Sequence, residues 1–482
     1  MKEEQKIRQI KKKEQKNGSH WKNRFFNAVF VLALLGSCVL FFVFADLIPP
    51  RTIHAGPGLF LFLATGLLLL MVNILYFAWQ ILLAAQYRPF TVPDEKDLPS
   101  CAIIVPAFNE GQQIALTLQS ILKSHYPPEK LEIICVNDGS SDDTWYWMQK
   151  TAEESKGRIT ALNLPRNAGK RNALYKGFSM ASSEILITID SDSIVTPETI
   201  RQIAAPFAAD PTIGGVAGNI RVLNLQEGII PKMLDVSFVF GFEFLRSAQS
   251  IVRSVLCMPG ALSAYRRHAV MPHMNEWVNE KFLGKPANIG EDRAITNILM
   301  REGYGVVYQN SSVVYTKMPT DYRGLCKMLI RWGRSNVREN LNMMKFAFRK
   351  FDWQDPDWTG MQCNLIIQTF WMVAPAIFLL YSSYCIYDDC LRYILGVSVA
   401  VIFWAALPAF VYARRYNKRD SLWAYAYGFF SFFTLFWVSP YCVFTVHRSG
   451  WLTRKNPEPK KDGQDPLVLS SQTLEETSEF SS

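Results

Sequence analysis

The sequence predicts a cytoplasmic α/β domain inserted between transmembrane helices, two before it and about three after it. Five apolar stretches of span length flank one long polar stretch, and inside that stretch short apolar runs alternate with helix-period segments. The bulk figures agree: 482 residues, 49% hydrophobic and 13% aromatic, exclude both intrinsic disorder and a small disulfide-stapled domain.

In chain order, residues 1–24 form a basic tail. Nine Lys and Arg against Glu3, Glu4 and Glu14 give it +6 of the chain's formal +9. By the positive-inside rule the tail is cytoplasmic. It lacks the interleaved aromatics of a base-stacking platform, which argues against nucleic acid as a partner. Residues 25–87 supply two transmembrane helices, at 25–45 and 56–85; the first is too long for a signal peptide and is promptly followed by the second. Two spans return the chain to the cytoplasm, which makes 88–318 a cytoplasmic domain large enough for its own core. An amphipathic interfacial segment is expected at 319–360, with Leu325, Met328, Leu329 and Trp332 on one face and Arg323, Lys327, Arg331, Arg334 and Arg338 on the other.

Residues 361–447 hold three further apolar stretches, 365–387, 393–413 and 422–446, and 448–482 is a polar, disordered tail. Three spans would leave the C-terminus outside, yet Arg448, Arg454, Lys455, Lys460 and Lys461 place it inside. A re-entrant pair at Ser439–Pro440, or an interfacial stretch, would reconcile the two. The nine cysteines form no C-x-x-C pair, so neither a zinc site nor a disulfide framework is expected.

Within the α/β domain, ligands are expected beyond the carboxyl ends of strands. The run 101–106 is followed by Asn109 and Glu110, and the run 131–136 by Asn137-Asp138-Gly139-Ser140-Ser141-Asp142-Asp143. There Asp142 suits a helix cap, whereas Asp138 stands at the strand end and suits a nucleoside. The run 185–189 leads into Asp190-Ser191-Asp192; strand alternation would turn both carboxylates to one side, toward one hard divalent cation on a diphosphate. Between them, Gly169 permits close backbone approach while Lys170 and Arg171 suit phosphate. Gly290-Glu291-Asp292-Arg293 opens a helix, where acids either serve the helix dipole or supply a general base, Asp292, with Arg293 holding an anionic group.

Taken in order, Asp138, Gly169-Lys170-Arg171, Asp190-x-Asp192, Gly290-Glu291-Asp292-Arg293 and Arg331-Trp332 resemble the processive inverting family-two glycosyltransferases: hyaluronan, nodulation chitooligosaccharide, poly-N-acetylglucosamine and cellulose synthases. The stretch from Cys257 through Gly260 to Arg267 is similar to their acceptor-binding segment, and Met328 replaces the Gln of their Gln-x-x-Arg-Trp signature. The resemblance implies a GT-A-like domain and a UDP-sugar donor. UDP-N-acetylglucosamine is the first candidate and UDP-glucuronate the candidate second.

It further implies Mg2+ or Mn2+ on Asp192 and Asp190, with Asp138, Lys170, Arg171, Asp190 and Arg331 binding the donor. Asp292 with Glu291 would be catalytic, and Trp332, Cys257, Gly260 and Arg293 would bind the acceptor. The growing polysaccharide would leave through the plasma or inner membrane in which the protein sits as a multi-pass protein. An accessory membrane subunit stays open. Two other functions compete: single sugar addition to a lipid acceptor, and a non-catalytic subunit of an export complex.

Overall fold

The computed structural model describes residues 72, 74–349 and 355–448. The basic tail, the span expected at 25–45, most of the second span and the polar C-terminal tail lie outside the described residues.

After helix α1 (Ile74–Gln86) the chain builds an α/β layer. The strands are β1 (Cys101–Ala107), β2 (Leu131–Asn137), β3 (Thr160–Asn163), β4 (Ile185–Ile189), β5 (Ser193–Val195), β6 (Ile213–Val222), β7 (Leu262–Arg266), a small hairpin of β8 (Lys281–Phe282) and β9 (Lys285–Pro286), and β10 (Gly305–Thr316). Eight of them form one sheet in the order β3-β2-β1-β4-β7-β6-β10-β5. All seven residues of β1 are buried, as expected of a strand covered on both faces. The expectation of a mostly parallel sheet holds for the first half, where β1 pairs in parallel with β2 and β4 and β2 with β3. The second half is mixed, because β7 inserts antiparallel between β4 and β6 and β5 returns antiparallel along β10.

Helices α2 (Gln113–Leu122), α3 (Thr144–Glu154), α4 (Lys170–Met180) and α5 (Thr199–Ala209) follow the early strands. Next comes α6 (Ile229–Phe238), which runs on into a π-helical segment, Val239–Arg246. Helix α7 (Glu291–Arg301) precedes β10, and α8 (Tyr322–Ala347) begins at Asp321, whose side chain accepts from Gly324 N at 2.8 Å. That is an ordinary N-cap.

The expected polar face of α8 is only half right. Arg323 is exposed, but Arg334 and Arg338 are 4% and 2% exposed. Arg334 donates to Thr445 Oγ1 at 3.0 Å, and Arg338 pairs with Glu339 at 2.9 Å. These two arginines bind protein on both sides of the helix, which is why spacing alone assigned them to solvent.

Helix α9 (Pro356–Arg415) contains both apolar stretches expected at 365–387 and 393–413. It is not one straight rod. The rings of Trp371 and Trp404 lie 6.5 Å apart, whereas 33 residues of straight helix would separate them by about 50 Å. Tyr393 donates to Ser382 Oγ at 2.7 Å across eleven residues, so the run doubles back between these two positions. Phe77 of α1 touches both arms, at 6.3 Å from Trp371 and 5.7 Å from Trp404. The returning arm, Tyr393–Arg415, contains an 18-residue window of mean hydropathy 2.4 and is the one described segment long and apolar enough by itself to cross a membrane.

The third expected stretch, 422–446, forms no single straight helix. It consists of α10 (Trp423–Thr434) and α11 (Val438–Phe444), with a bend of 50° at the break between them. Both pieces meet α8: Tyr322 donates to Thr434 O, the last residue of α10, at 2.7 Å, and Cys442 Sγ of α11 donates to Ile330 O at 3.6 Å.

Candidate functional site

One strand end, two helix starts and the approach to a fourth element converge. Asp190 follows β4, Lys170 opens α4, Glu291 opens α7, and the backbone at Gly260 precedes β7. Lys170 Nζ lies between two carboxylates, 2.5 Å from Asp190 Oδ1 and 2.9 Å from Glu291 Oε1. Gly260 N donates to Asp292 Oδ2 at 3.2 Å. A Cβ at 260 would stand 2.7 Å from Lys170 Nζ and press on the end of that side chain. Gly290 has to be glycine: its φ is +73°, and a Cβ would collide with Ser335 Oγ.

Two neighbouring carboxylates at one helix start therefore acquire opposite character. Burial alone would raise the Glu291 carboxyl, but the Lys170 ammonium overrides it and holds the group down at about 2. Asp292 moves the other way, because burial and then the negative Glu291 both favour its protonated form. Lys170 itself is buried against its own charge, yet Asp190 and Glu291 raise it well above the ordinary lysine value. The result is a permanently charged ion pair beside a carboxyl of raised proton affinity, the arrangement of a general base.

The acidic turn departs from expectation. β4 ends at Ile189, and Asp190-Ser191-Asp192 is a turn, so strand alternation does not orient the two carboxylates. Asp190 Oδ1 meets Lys170, while Asp192 Oδ1 faces the hydroxyls of Ser193 and Thr316, each at 3.4 Å. Among the described residues no group of three or more His, Cys, Asp or Glu gathers at one point. Two hard carboxylates still fit a magnesium-type ion, which takes one or two from protein and the rest from phosphate and water.

Three other expected ligands are otherwise engaged. Asp138 is 2% exposed, and its two oxygens accept from Ala168 N and Gly169 N, both at 2.9 Å. It fixes the loop that delivers Lys170. Arg171 points away from phosphate: it pairs with Glu280 at 2.7 Å and lies over the Trp277 ring. Arg293 is 1% exposed and donates to Asn336 at 3.2 Å and Asn340 at 2.8 Å, joining α7 to α8. In each case the residue type suited a ligand while the fold supplied a protein partner that sequence spacing does not reveal.

Arg331 reaches the neighbourhood of Glu291 and Asp292 closely enough to favour the charged form of both. Trp332 is 37% exposed and packs one edge against Phe238, with ring centroids 6.1 Å apart. Met328 is buried in the main core. Cys257 presents its carbonyl to Arg246 Nε at 3.1 Å, and burial followed by Asp292 pushes its thiol up to about 11. Asp142 behaves as the helix-start reading implied, accepting from Thr144 N at 3.0 Å and also from Gly111 N at 3.1 Å. Sequence reasoning missed Glu280, Asn336 and Asn340. Nothing near them in the chain marks them as partners.

Residues 102–272 match the family model described as Glycosyl transferase family 2. A hyaluronan synthase of Streptococcus pyogenes is 28% identical over 397 residues, which cover 80% of this chain and 90% of that one. An N-acetylglucosaminyltransferase of Rhizobium meliloti (strain 1021) is 29% identical over 247 residues, 51% of this chain and 58% of that one. Among solved structures, a mannosyltransferase from Pyrobaculum calidifontis in complex with GDP-Man and Mn2+ superposes with a TM-score of 0.50 at 20% identity. That match covers 78% of this chain and 95% of the other, and it shows a GT-A-like α/β glycosyltransferase fold.

Proposed function

Because the chain is a glycosyltransferase with a family 2 domain at residues 102–272, we propose that it is a membrane-embedded, inverting polysaccharide synthase. In this reading it adds sugar from a UDP-sugar to a growing β-linked chain that leaves across the membrane. The observation that carries the mechanism is Asp292, a carboxyl of raised proton affinity held by Gly260 N beside the Lys170–Glu291 pair.

Asp292 takes the proton of the attacking acceptor hydroxyl, and the oxygen displaces the UDP from the opposite face of the anomeric carbon, which inverts it. Glu291 keeps a fixed negative charge next to the base and holds Lys170 in place. Arg331 and Lys170 face the diphosphate as it departs. Asp190 and Asp192 would hold Mg2+ or Mn2+, which supplies charge neutralisation to the leaving diphosphate. Trp332 offers its exposed face to the acceptor sugar.

The relatives' names support N-acetylglucosamine as a transferred sugar and a polymer as product. The helical hairpin of α9 beside α1 supports a multi-pass arrangement, with 25–87 and 361–447 as the membrane segments around a catalytic domain at 88–318. If α9 crosses twice and α10–α11 stays on the entry side along α8, the C-terminal basic residues are cytoplasmic, in accord with their charge.

The test is purified protein in nanodiscs with Mn2+ and UDP-sugars, singly and in pairs, followed by UDP release and product size. Long polymer supports the synthase. UDP release with only a short lipid-linked product would overturn it in favour of single addition.

A further inference from the structure

A cavity of about 450 Å³, lined by none of the residues of the Lys170–Asp292 cluster, lies where the sheet meets the end of α9. Two departures from regular structure and one helix end meet around it. On β10 the pairing with β6 jumps from Tyr308–Ala217 to Val313–Asn219, so four residues on one strand oppose one on the other, and two of the four, Asn310 and Ser311, wall the cavity. The π-helical segment contributes Glu243, and the end of α9 is followed at once by Tyr416, which also lines it. Bulges and π-turns are costly irregularities that cluster at working sites.

The charges in its wall are already satisfied by protein. Arg221 sits on Asp235 at 3.2 Å and near Glu243 at 3.7 Å, with its guanidinium 4.0 Å from the Tyr416 ring. Arg415 pairs with the other Glu243 oxygen at 2.7 Å. Two cations thus face two carboxylates, which leaves no excess positive charge to draw in a phosphate or carboxylate.

Glu198, the other charged residue of the wall, meets His125 Nδ1 at 2.7 Å, and the rest of the lining is uncharged. Asn219 is 3% exposed; its Nδ2 donates to Glu243 and to Asn310 O, which fixes the amide orientation, and its Oδ1 is a buried acceptor with no partner. A buried acceptor left unsatisfied is destabilising unless something donates to it. Amide and hydroxyl groups of Gln202, Asn310 and Ser311 stand around it beside the Tyr416 ring.

We propose that this cavity is a binding site for an uncharged, polyhydroxylated ligand, a saccharide of one or two rings. A ligand hydroxyl donates to Asn219 Oδ1, the amides and Ser311 meet further hydroxyls, and the Tyr416 ring meets a sugar face. The volume falls within the roughly 300–1,000 Å³ of small-molecule sites. The ligand could arrive as a free sugar or as the sugar headgroup of a lipid, since the cavity adjoins the end of a membrane-type helix. The site does not depend on polymer synthesis, so it stands or falls separately from the function proposed above.

The experiment uses the full chain in nanodiscs, with UDP and Mn2+ added to fill the donor site. Saturation-transfer NMR with methyl β-glucopyranoside reads the free-sugar arm, and thermal shift in discs with and without a glucosyl diacylglycerol reads the lipid arm. The expected result is binding in at least one arm, unaffected by UDP, not competed by glucuronate or glucose 6-phosphate, and weakened at least tenfold by Ser311→Tyr, which fills the cavity. Asn219→Ser, which shortens the acceptor, should weaken it as well and guards against misfolding of the first variant. Absence of binding in both arms, displacement by UDP, or equal binding by both folded variants would overturn the proposal.

Discussion

The protein holds two buried charge clusters of opposite design. Around Lys170 a single ammonium serves Asp190 and Glu291 while Asp292 stands beside them, and with Arg331 nearby three carboxylates meet two cations. Around Arg221, two guanidinium groups face two carboxylates, and the tyrosines 412 and 416 complete the hydrogen bonds to Asp235 and Glu243. The balanced cluster has the properties of an anchor that ties β6 and the π-helical segment to the end of α9. The unbalanced one leaves a carboxyl with raised proton affinity, as a reaction requires.

The largest expected break in that contrast is Asp292→Asn, which should lower turnover about 100- to 10,000-fold while UDP binding persists, as single-turnover and equilibrium-binding measurements would show. Next is Lys170→Met. It leaves Asp190 and Glu291 without their shared partner and should destabilise the domain by about 3–5 kcal/mol, readable by denaturant titration. Trp332→Ala should raise the acceptor KM by up to about tenfold with kcat less affected, in line with the loss of one aromatic contact.

The smallest effect concerns pH. A base works deprotonated, so turnover should fall as pH drops through the Asp292 value, which burial and Glu291 hold above the ordinary 3.8. Glu291→Gln removes the neighbouring negative charge and should move that acid limb to lower pH; a limb that stays put would detach Asp292 from the profile.

The two clusters also differ in how far the sequence reveals them. Lys170, Asp190, Glu291 and Asp292 follow apolar runs or open helices, so strand-end reasoning finds all four. Their neighbours Asp138, Arg171 and Arg293 obey the same reasoning and yet bond to protein, because their partners, Gly169 N, Glu280 and Asn340, are set by tertiary packing. The balanced cluster was not legible at all. Arg221, Asp235, Glu243 and Arg415 are spread over nearly 200 residues without a motif, and only the return of α9 onto the sheet assembles them. The apolar stretches at 365–387 and 393–413 were legible from hydropathy, but their hairpin required the contact of Trp371 with Trp404. The stretch at 422–446 has the composition of a span, and its 50° bend, which composition does not show, makes it a broken span or a re-entrant pair.

The most direct test compares Asp292→Asn with Glu243→Gln in one preparation, measuring UDP release per folded molecule and the unfolding midpoint of each. The account predicts that Asp292→Asn loses turnover while its midpoint holds or rises, since a carboxyl of raised proton affinity is replaced by a neutral amide. Glu243→Gln should lower the midpoint and keep most of the turnover. A Glu243→Gln protein that stays fully stable but is inactive, or an Asp292→Asn protein that still turns over, would contradict it.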